Sequence, residues 1–372
     1  MEPLIDGLTQ EQQRLVNAYH ATADDHHAYV SASEVLRDVA VRQLRWSEEF
    51  FEAELQEITS QVGPPESYSP NSLGFYYRAL LALTQPWRCR YPIFEAKGMP
   101  IGELHDDDPS GPDFVEISLS KCAHILMPRG RPPLLPISLL IGSVTAQGPN
   151  IPPHNLYELW MAQEQVRQDP ASSLEDLMET LPGPDFPTGA IAGDPAAIRT
   201  LYETGRAELR VRAIIDEEIQ GGRTRVAVTS LPPGLLIRTA LESISNLSRI
   251  GRLKLFNIQN ASKGGQVRIV VDAPKELSAT TLKEVLFREG ELERRIPYQI
   301  LPEKSTDFPR GSCVLASILA YTSSKCSPAW ERKDGEKLDR VPTLKEVMEF
   351  GGYKSPLSEW TDSRRTRILE IG

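Results

Sequence analysis

The chain has 372 residues, 40% of them hydrophobic, and a formal charge of −10, which is enough apolar material for two or three compact units. Its four cysteines form no CxxC pair and there is no leader or bilayer-length apolar run, so a zinc site, a disulfide framework and a membrane span are not expected, and a cytoplasmic protein is. The charge is uneven: up to Ser120 there are 8 basic and 20 acidic side chains, a balance of −12 that leaves +2 for the remainder. Nucleic-acid affinity comes mainly from Lys and Arg on phosphate, so the first third lacks the composition of a DNA-gripping surface.

Leu8–Tyr19 reads as an amphipathic helix, with Thr9 as its cap and Leu15, Val16 and Tyr19 on one face. Asp24, Asp25, His26 and His27 follow with no further ligand at a helical or strand offset, so a solvated loop is expected and no metal site. Ser33 to Ser60 reads as one long helix with Val35, Val39, Leu44, Phe51 and Leu55 on its apolar stripe. Two motif-bearing stretches come next, YSPNSLGFYYRALLALTQPWRCRYPI (Tyr68–Ile93) and KGMPIGELHDDDPSGPDFVEISLSK (Lys97–Lys121).

NIPPHN (Asn150–Asn155) ends an extended segment, and Asn155 is placed to cap the helix after it. SSLEDLMETL gives a second helix capped by Ser172 or Ser173. GPDFPTG (Gly183–Gly189) holds two prolines and two glycines in seven residues and must be a tightly specified loop. Asp194 then caps a helix with Pro195 in its first turn, Gly205 stops it, and Glu208–Ala213 alternates as a strand. Arg225–Leu231 and Val267–Asp272 read as strands, and Leu235–Leu247 and Ser278–Phe287 as helices. Ser305–Glu336 is polar and reads as a solvated loop.

Taken together, NIPPHN, GPDFPTG and IRTLYETGRAELRVRA (Ile198–Ala213) resemble the breakage–reunion region in the A subunit of bacterial type IIA DNA topoisomerases, DNA gyrase and topoisomerase IV. The resemblance extends from about Tyr68 to the C-terminus. It implies an α+β fold: a winged-helix-like head followed by a tower-like α/β domain, with the C-terminal coiled-coil gate absent. The domain boundaries expected on this basis are an N-terminal helical region (1–60), a degenerate cleavage domain (61–182), a tower-like domain (183–340) and the start of a helical arm (341–372).

The same register assigns the catalytic positions. Gly98, Gly102, Asp107, Asp108, Pro109, Glu116, Leu119 and Lys121 hold it, and Phe114 then stands where the family keeps its nucleophilic tyrosine. Asp113 and Ser118 replace two arginines, and Ser69 and Asn71 replace two histidines. Phe114 has no phenolic oxygen to attack a phosphodiester, and Asp113 repels phosphate where an arginine would attract it. Ser143 replaces the family's intercalating isoleucine, which removes the apolar wedge that bends DNA. No catalytic residue is therefore expected, and no cofactor: ATP and Mg²⁺ would belong to a partner subunit.

The DNA-binding candidates that remain are Arg78, Arg90, Lys121, Arg129, Arg131, Arg206, Arg210 and Arg212. For the last three, pairing with Glu203 and Glu208 competes with phosphate contact. The implied partners are an A or B subunit of a topoisomerase, a second copy, or duplex DNA held weakly. The function expected is that of a protein resembling the A subunit but unable to cleave DNA. A working A subunit using another residue, and a scaffold that keeps only the fold, are the alternatives.

Overall fold

The computed structural model describes residues 8, 10–24, 28–60, 72–98, 110–127, 134–142, 150–263, 266–300, 313–325, 330–331, 337–338 and 365–369. The head begins with α1 (Gln10–Thr22), which buries Leu15, Val16, Ala18 and Tyr19. The single helix expected over 33–60 is broken. A short strand β1 (Val30–Ser31) leads into α2 (Ala32–Arg37), which widens into a π-helical turn at Asp38–Gln43, and α3 (Glu48–Ser60) starts afresh. The cause is local. Arg45 takes a left-handed conformation, φ 66°, which interrupts a helix, and the Ser47 hydroxyl accepts the Phe50 amide at 3.2 Å to open the next one.

Ser72 caps α4 (Leu73–Ala82), and β2 (Phe94–Gly98) and β3 (Val115–Leu119) pair antiparallel with β1 on the far side of β3. Gly98 has φ +117°, and a Cβ there would meet the Phe114 carbonyl oxygen at 2.2 Å, so this glycine lets β2 close against the start of β3. α5 (Lys121–Leu126) and α6 (Ile137–Ile141) complete the head.

The central elements follow their caps. Asn155 Oδ1 accepts the Tyr157 and Glu158 amides at 3.0 and 3.3 Å to start α7 (Leu156–Gln168). Ser173 and Asp176 form a reciprocal capping box on α8 (Leu174–Thr180). After β4 (Ile191–Gly193), Asp194 caps α9 (Pro195–Thr204), Gly205 ends it at φ 81°, and β5 (Arg206–Arg212) follows.

The chain then makes an excursion: β6 (Ile214–Gln220), β7 (Arg223–Ser230), α10 (Ile237–Arg249), β8 (Asn257–Asn260), β9 (Ile269–Pro274) and α11 (Ala279–Glu289), returning as β10 (Glu293–Gln299) to pair with β5. After α12 (Val314–Lys325), β11 (Trp330–Glu331) and β12 (Lys337–Leu338), the last described strand, β13 (Arg367–Ile368), lies parallel to β4.

Two hydrophobic cores result. One runs from the head through α7, α9, the β10-β5-β4-β13 sheet and α12. The other lies in the excursion, where α10 and α11 cover the β6-β7-β9-β8 sheet with Val226, Val228, Ile244, Ile269, Val271, Leu282 and Leu286, and Trp87 from the segment after α4 packs against it. The unit expected over 183–340 is thus shared between the cores, because β4, β5, β10 and α12 pack with the head. The 305–336 segment, expected as a loop, contains α12: Leu315, Ala316, Ile318 and Leu319 are buried against the first core, and the apolar VLASILAY run outweighs its polar flanks.

The face of the second sheet away from Val226 and Val271 is polar and tied by ion pairs. Asp272, fully buried, accepts from Arg225 at 2.6 and 2.8 Å and faces Arg223 at 3.5 Å. The Arg225 hydrogen bonds hold its carboxyl below the usual carboxylate range. A depressed carboxylate contributes stability in full above its unfolded pKa, about 3.9, and loses it as pH falls through the folded value. Asp272→Asn is therefore expected to unfold at lower urea than the parent at pH 7. That deficit should shrink as pH falls below about 4 and on through the depressed folded value, and an unchanged deficit across the range would contradict the assignment.

Candidate nucleic-acid interface

The turn that ends in Phe114 is built by Pro112, whose fixed φ starts a single 3-10 turn (Pro112–Phe114), closed by the Phe114 amide on the Gly111 carbonyl at 3.0 Å. Asp113 and Phe114 both point to solvent, Phe114 with 59% of its surface exposed. An apolar ring so exposed is not held there by packing. Ser118 lies on β3 opposite Glu95 and is buried, 4% exposed. Ser69, Asn71, Arg129, Arg131 and Ser143 lie outside the described residues, as do His26 and His27.

The head's described tyrosines are all occupied. The Tyr19 hydroxyl donates to the Ala28 carbonyl, and the buried Tyr76 hydroxyl accepts from Arg14 at 2.6 Å. The buried Tyr77 donates to the Ser110 carbonyl, and burial pushes its hydroxyl well above the ordinary tyrosine value. The Tyr91 oxygen accepts the Leu156 amide at 3.0 Å. Tyr29 donates to Glu95 at 3.4 Å under the Lys97 ammonium, and its pKa is raised by burial and by Glu95. Burial also pushes the Cys89 and Cys122 thiols up to about 12, which keeps them unreactive at neutral pH.

The candidate cations do not converge. Arg78 is half-buried on α4, and Lys121 is exposed at the start of α5. Arg90 is a correction to the expectation of a surface contact: its side chain is 1% exposed, and its Nε donates to the fully buried Asp185 at 3.0 Å. Asp185 comes from the GPDFPTG loop and collects three more donors: the Arg365 and Thr366 amides at 2.8 and 2.9 Å, and the Asn155 side chain at 3.4 Å. The loop's tight specification is thus the specification of a buried carboxylate. Next to it, His154 is fully buried. A carbonyl only accepts, so His154 Nδ1 donates to Leu139, and Nε2 accepts from the Tyr202 hydroxyl, both at 2.9 Å.

On β5, Arg210 and Arg212 both pair with Glu293 of β10, each Nε at 2.7 Å. Pairing competes with phosphate contact here as expected, though Glu293, and not Glu203 or Glu208, is the partner. Glu203 is held by Arg199 at 2.9 Å, and Glu208 faces Arg295 at 3.5 Å. Arg206 is exposed at the start of the strand. Arg295 was not among the candidates. It stands opposite Arg210 in the β5–β10 register, so this sheet face carries Arg206, Arg210, Arg212 and Arg295 against Glu208 and Glu293. The alternation in ERRIPYQ was the signal that could have located it.

Among the described residues no three His, Cys, Asp or Glu side chains are grouped to hold a metal ion, and no helix is long and apolar enough to cross a membrane. A profile of the DNA gyrase/topoisomerase IV A-subunit family matches residues 127–325, more than half of the chain and beginning after the Phe114 turn. The chain is 27% identical over 241 residues to the A subunit of DNA gyrase from Kosmotoga olearia, covering 58% of this chain and 30% of that protein. It is 27% identical over 267 residues to the Thermotoga maritima counterpart (65% and 33%), and 29% over 259 residues to that of Streptococcus pyogenes (63% and 31%). It therefore spans about a third of the length of the relatives it matches. On this match the chain belongs to the family of the DNA gyrase/topoisomerase IV A subunit.

Proposed function

We propose that this protein is a member of the A-subunit family that does not cut DNA and acts by binding, its principal partner being another topoisomerase subunit, in the maintenance of DNA topology. The observation that carries the reading is the solvent-facing Phe114 beside Asp113. Where the family resemblance calls for a phenol and a cation, the surface offers a hydrocarbon ring and an anion. The tyrosines nearest in sequence support it, since Tyr76, Tyr77 and Tyr91 are buried and hydrogen-bonded. ATP and Mg²⁺ would enter only through a partner that binds them.

The ion pairs of Arg90, Arg210 and Arg212 favour weak contact with DNA. Each must give up a carboxylate before it can take a phosphate, and non-specific affinities at physiological salt are already only about 10⁻⁴ to 10⁻⁶ M. Duplex DNA is expected to be retarded in gels at low salt and released by about 150 mM. Glu293→Gln, which frees Arg210 and Arg212, is expected to tighten that binding several-fold. Affinity capture with the purified chain should retain gyrase or topoisomerase IV subunits. Failure to capture either enzyme, together with no retardation at low salt, would favour the scaffold that keeps only the fold.

A further inference from the structure

α3 carries five glutamates and no lysine or arginine, and it packs against the Pro112–Phe114 turn. On these adjoining elements Phe50 is 49% exposed and Phe114 59% exposed. Trp46 sits edge-on to Phe50 at 4.8 Å between ring centroids, and Phe51 is fully buried beneath. The same elements carry Glu48, Glu49, Glu52 and Asp113, and Glu116 follows on β3. Arg37 pairs with Glu48 and Glu52 at 2.6 and 2.5 Å, and Lys97 stands opposite Glu116 in the β2–β3 register. Two large rings in water among carboxylates gain nothing for the isolated fold. Exposed aromatic anchors within a mainly acidic rim are features of an interface.

We propose that this face docks onto a cationic protein surface with apolar sockets for Phe50 and Phe114, and that the surface is the one with which a DNA gyrase holds duplex DNA. This rests on the proposed function for its choice of partner. Charge complementarity supplies the rest. The face has the sign of a phosphate backbone, and the sequence up to Ser120 balances to −12, so a surface evolved to bind phosphate attracts it and duplex DNA competes with it. The aromatic rings then provide the contact area that charge alone does not.

The test uses the full chain and the gyrase assembled from its A and B subunits from the same cell. Binding is measured by biolayer interferometry at rising salt, with and without a short duplex. Binding should weaken steeply with salt and be displaced by the duplex. Phe50→Ser with Phe114→Ser, and separately Asp113→Arg, should each weaken it at least tenfold, while Glu242→Lys, a charge reversal of equal size on α10, should leave it unchanged. Circular dichroism spectra like the parent's would show that the variants are folded. Binding that survives the Phe and Asp113 changes, or that the duplex does not displace, would overturn this site while leaving a gyrase-binding role intact. Absence of gyrase binding at low salt would overturn the proposal, and the capture and gel-retardation results would then decide the broader reading.

Discussion

Asp185→Ala is expected to destabilise the chain by about 3–5 kcal/mol, the range seen when one partner of a buried ion pair is removed. The truncation leaves the Arg90 guanidinium, 1% exposed, without its carboxylate. It also orphans the Arg365 and Thr366 amides and the Asn155 side chain, and each buried donor left unsatisfied costs roughly 1–3 kcal/mol before relaxation. Three distant parts of the chain loosen together: the segment after α4, the cap of α7 and the β13 strand. Gly183 in the same loop already sits so close that a Cβ would meet Ile368 Cδ1 at 2.8 Å. Asp185→Asn keeps an oxygen for the amides but turns a neutral group towards Arg90, so it should recover only part of the loss. Urea unfolding of the two variants and of Arg90→Met, followed by circular dichroism, provides the check. A loss below about 1 kcal/mol for Asp185→Ala would mean that water enters and replaces the carboxylate, and the loop would not be the centre of the fold.

The sequence alone makes legible what is decided within a few residues. Asn155, Ser173, Asp194 and Gly205 bound their helices as expected, because a cap is a contract between a side chain and an amide two or three positions away. The motif NIPPHN–GPDFPTG marked the right place, yet not its chemistry. Nothing local in Asp185 says that its partners are Arg90 and the amides of Arg365 and Thr366, all remote in sequence. The same limit misassigned Arg90 to the surface and gave Arg210 and Arg212 the wrong glutamates, since the β5–β10 register joins residues across the whole second core.

Composition misled in two places. Polar flanks hid α12, whose apolar stretch is buried by the first core, and an unbroken apolar stripe hid the break at Arg45, which depends on one residue's left-handed φ. For the proposed site, the residue types at 113 and 114 are all that the sequence supplies. Its setting, with an exposed ring, a buried Ser118 and occupied tyrosines, needed the tertiary structure.

That setting makes the chemistry testable by repair. Mixed with a gyrase B subunit, plasmid, Mg²⁺ and ATP and then denatured, the parent chain is expected to leave no covalent protein–DNA adduct. Phe114→Tyr is expected to leave none either. The new phenol would stand beside Asp113 without a cation. Exchanging a positive for a negative charge some 6 Å from a phosphate changes the interaction by about 5 kcal/mol at an effective dielectric near 20, a factor of several thousand in rate. Adding Asp113→Arg removes that term, and any trace of adduct should appear first in this double variant. The second position where the family resemblance calls for an arginine is harder to convert. Ser118 is 4% exposed opposite Glu95, so an arginine there would have to displace its neighbours before reaching a phosphate. On the proposed reading the surface is rebuilt around the loss, and so recovery should stay far below that of a gyrase A subunit. An adduct from the parent chain itself, mapped by proteolysis to any side chain, would reverse the conclusion and identify the nucleophile in one step.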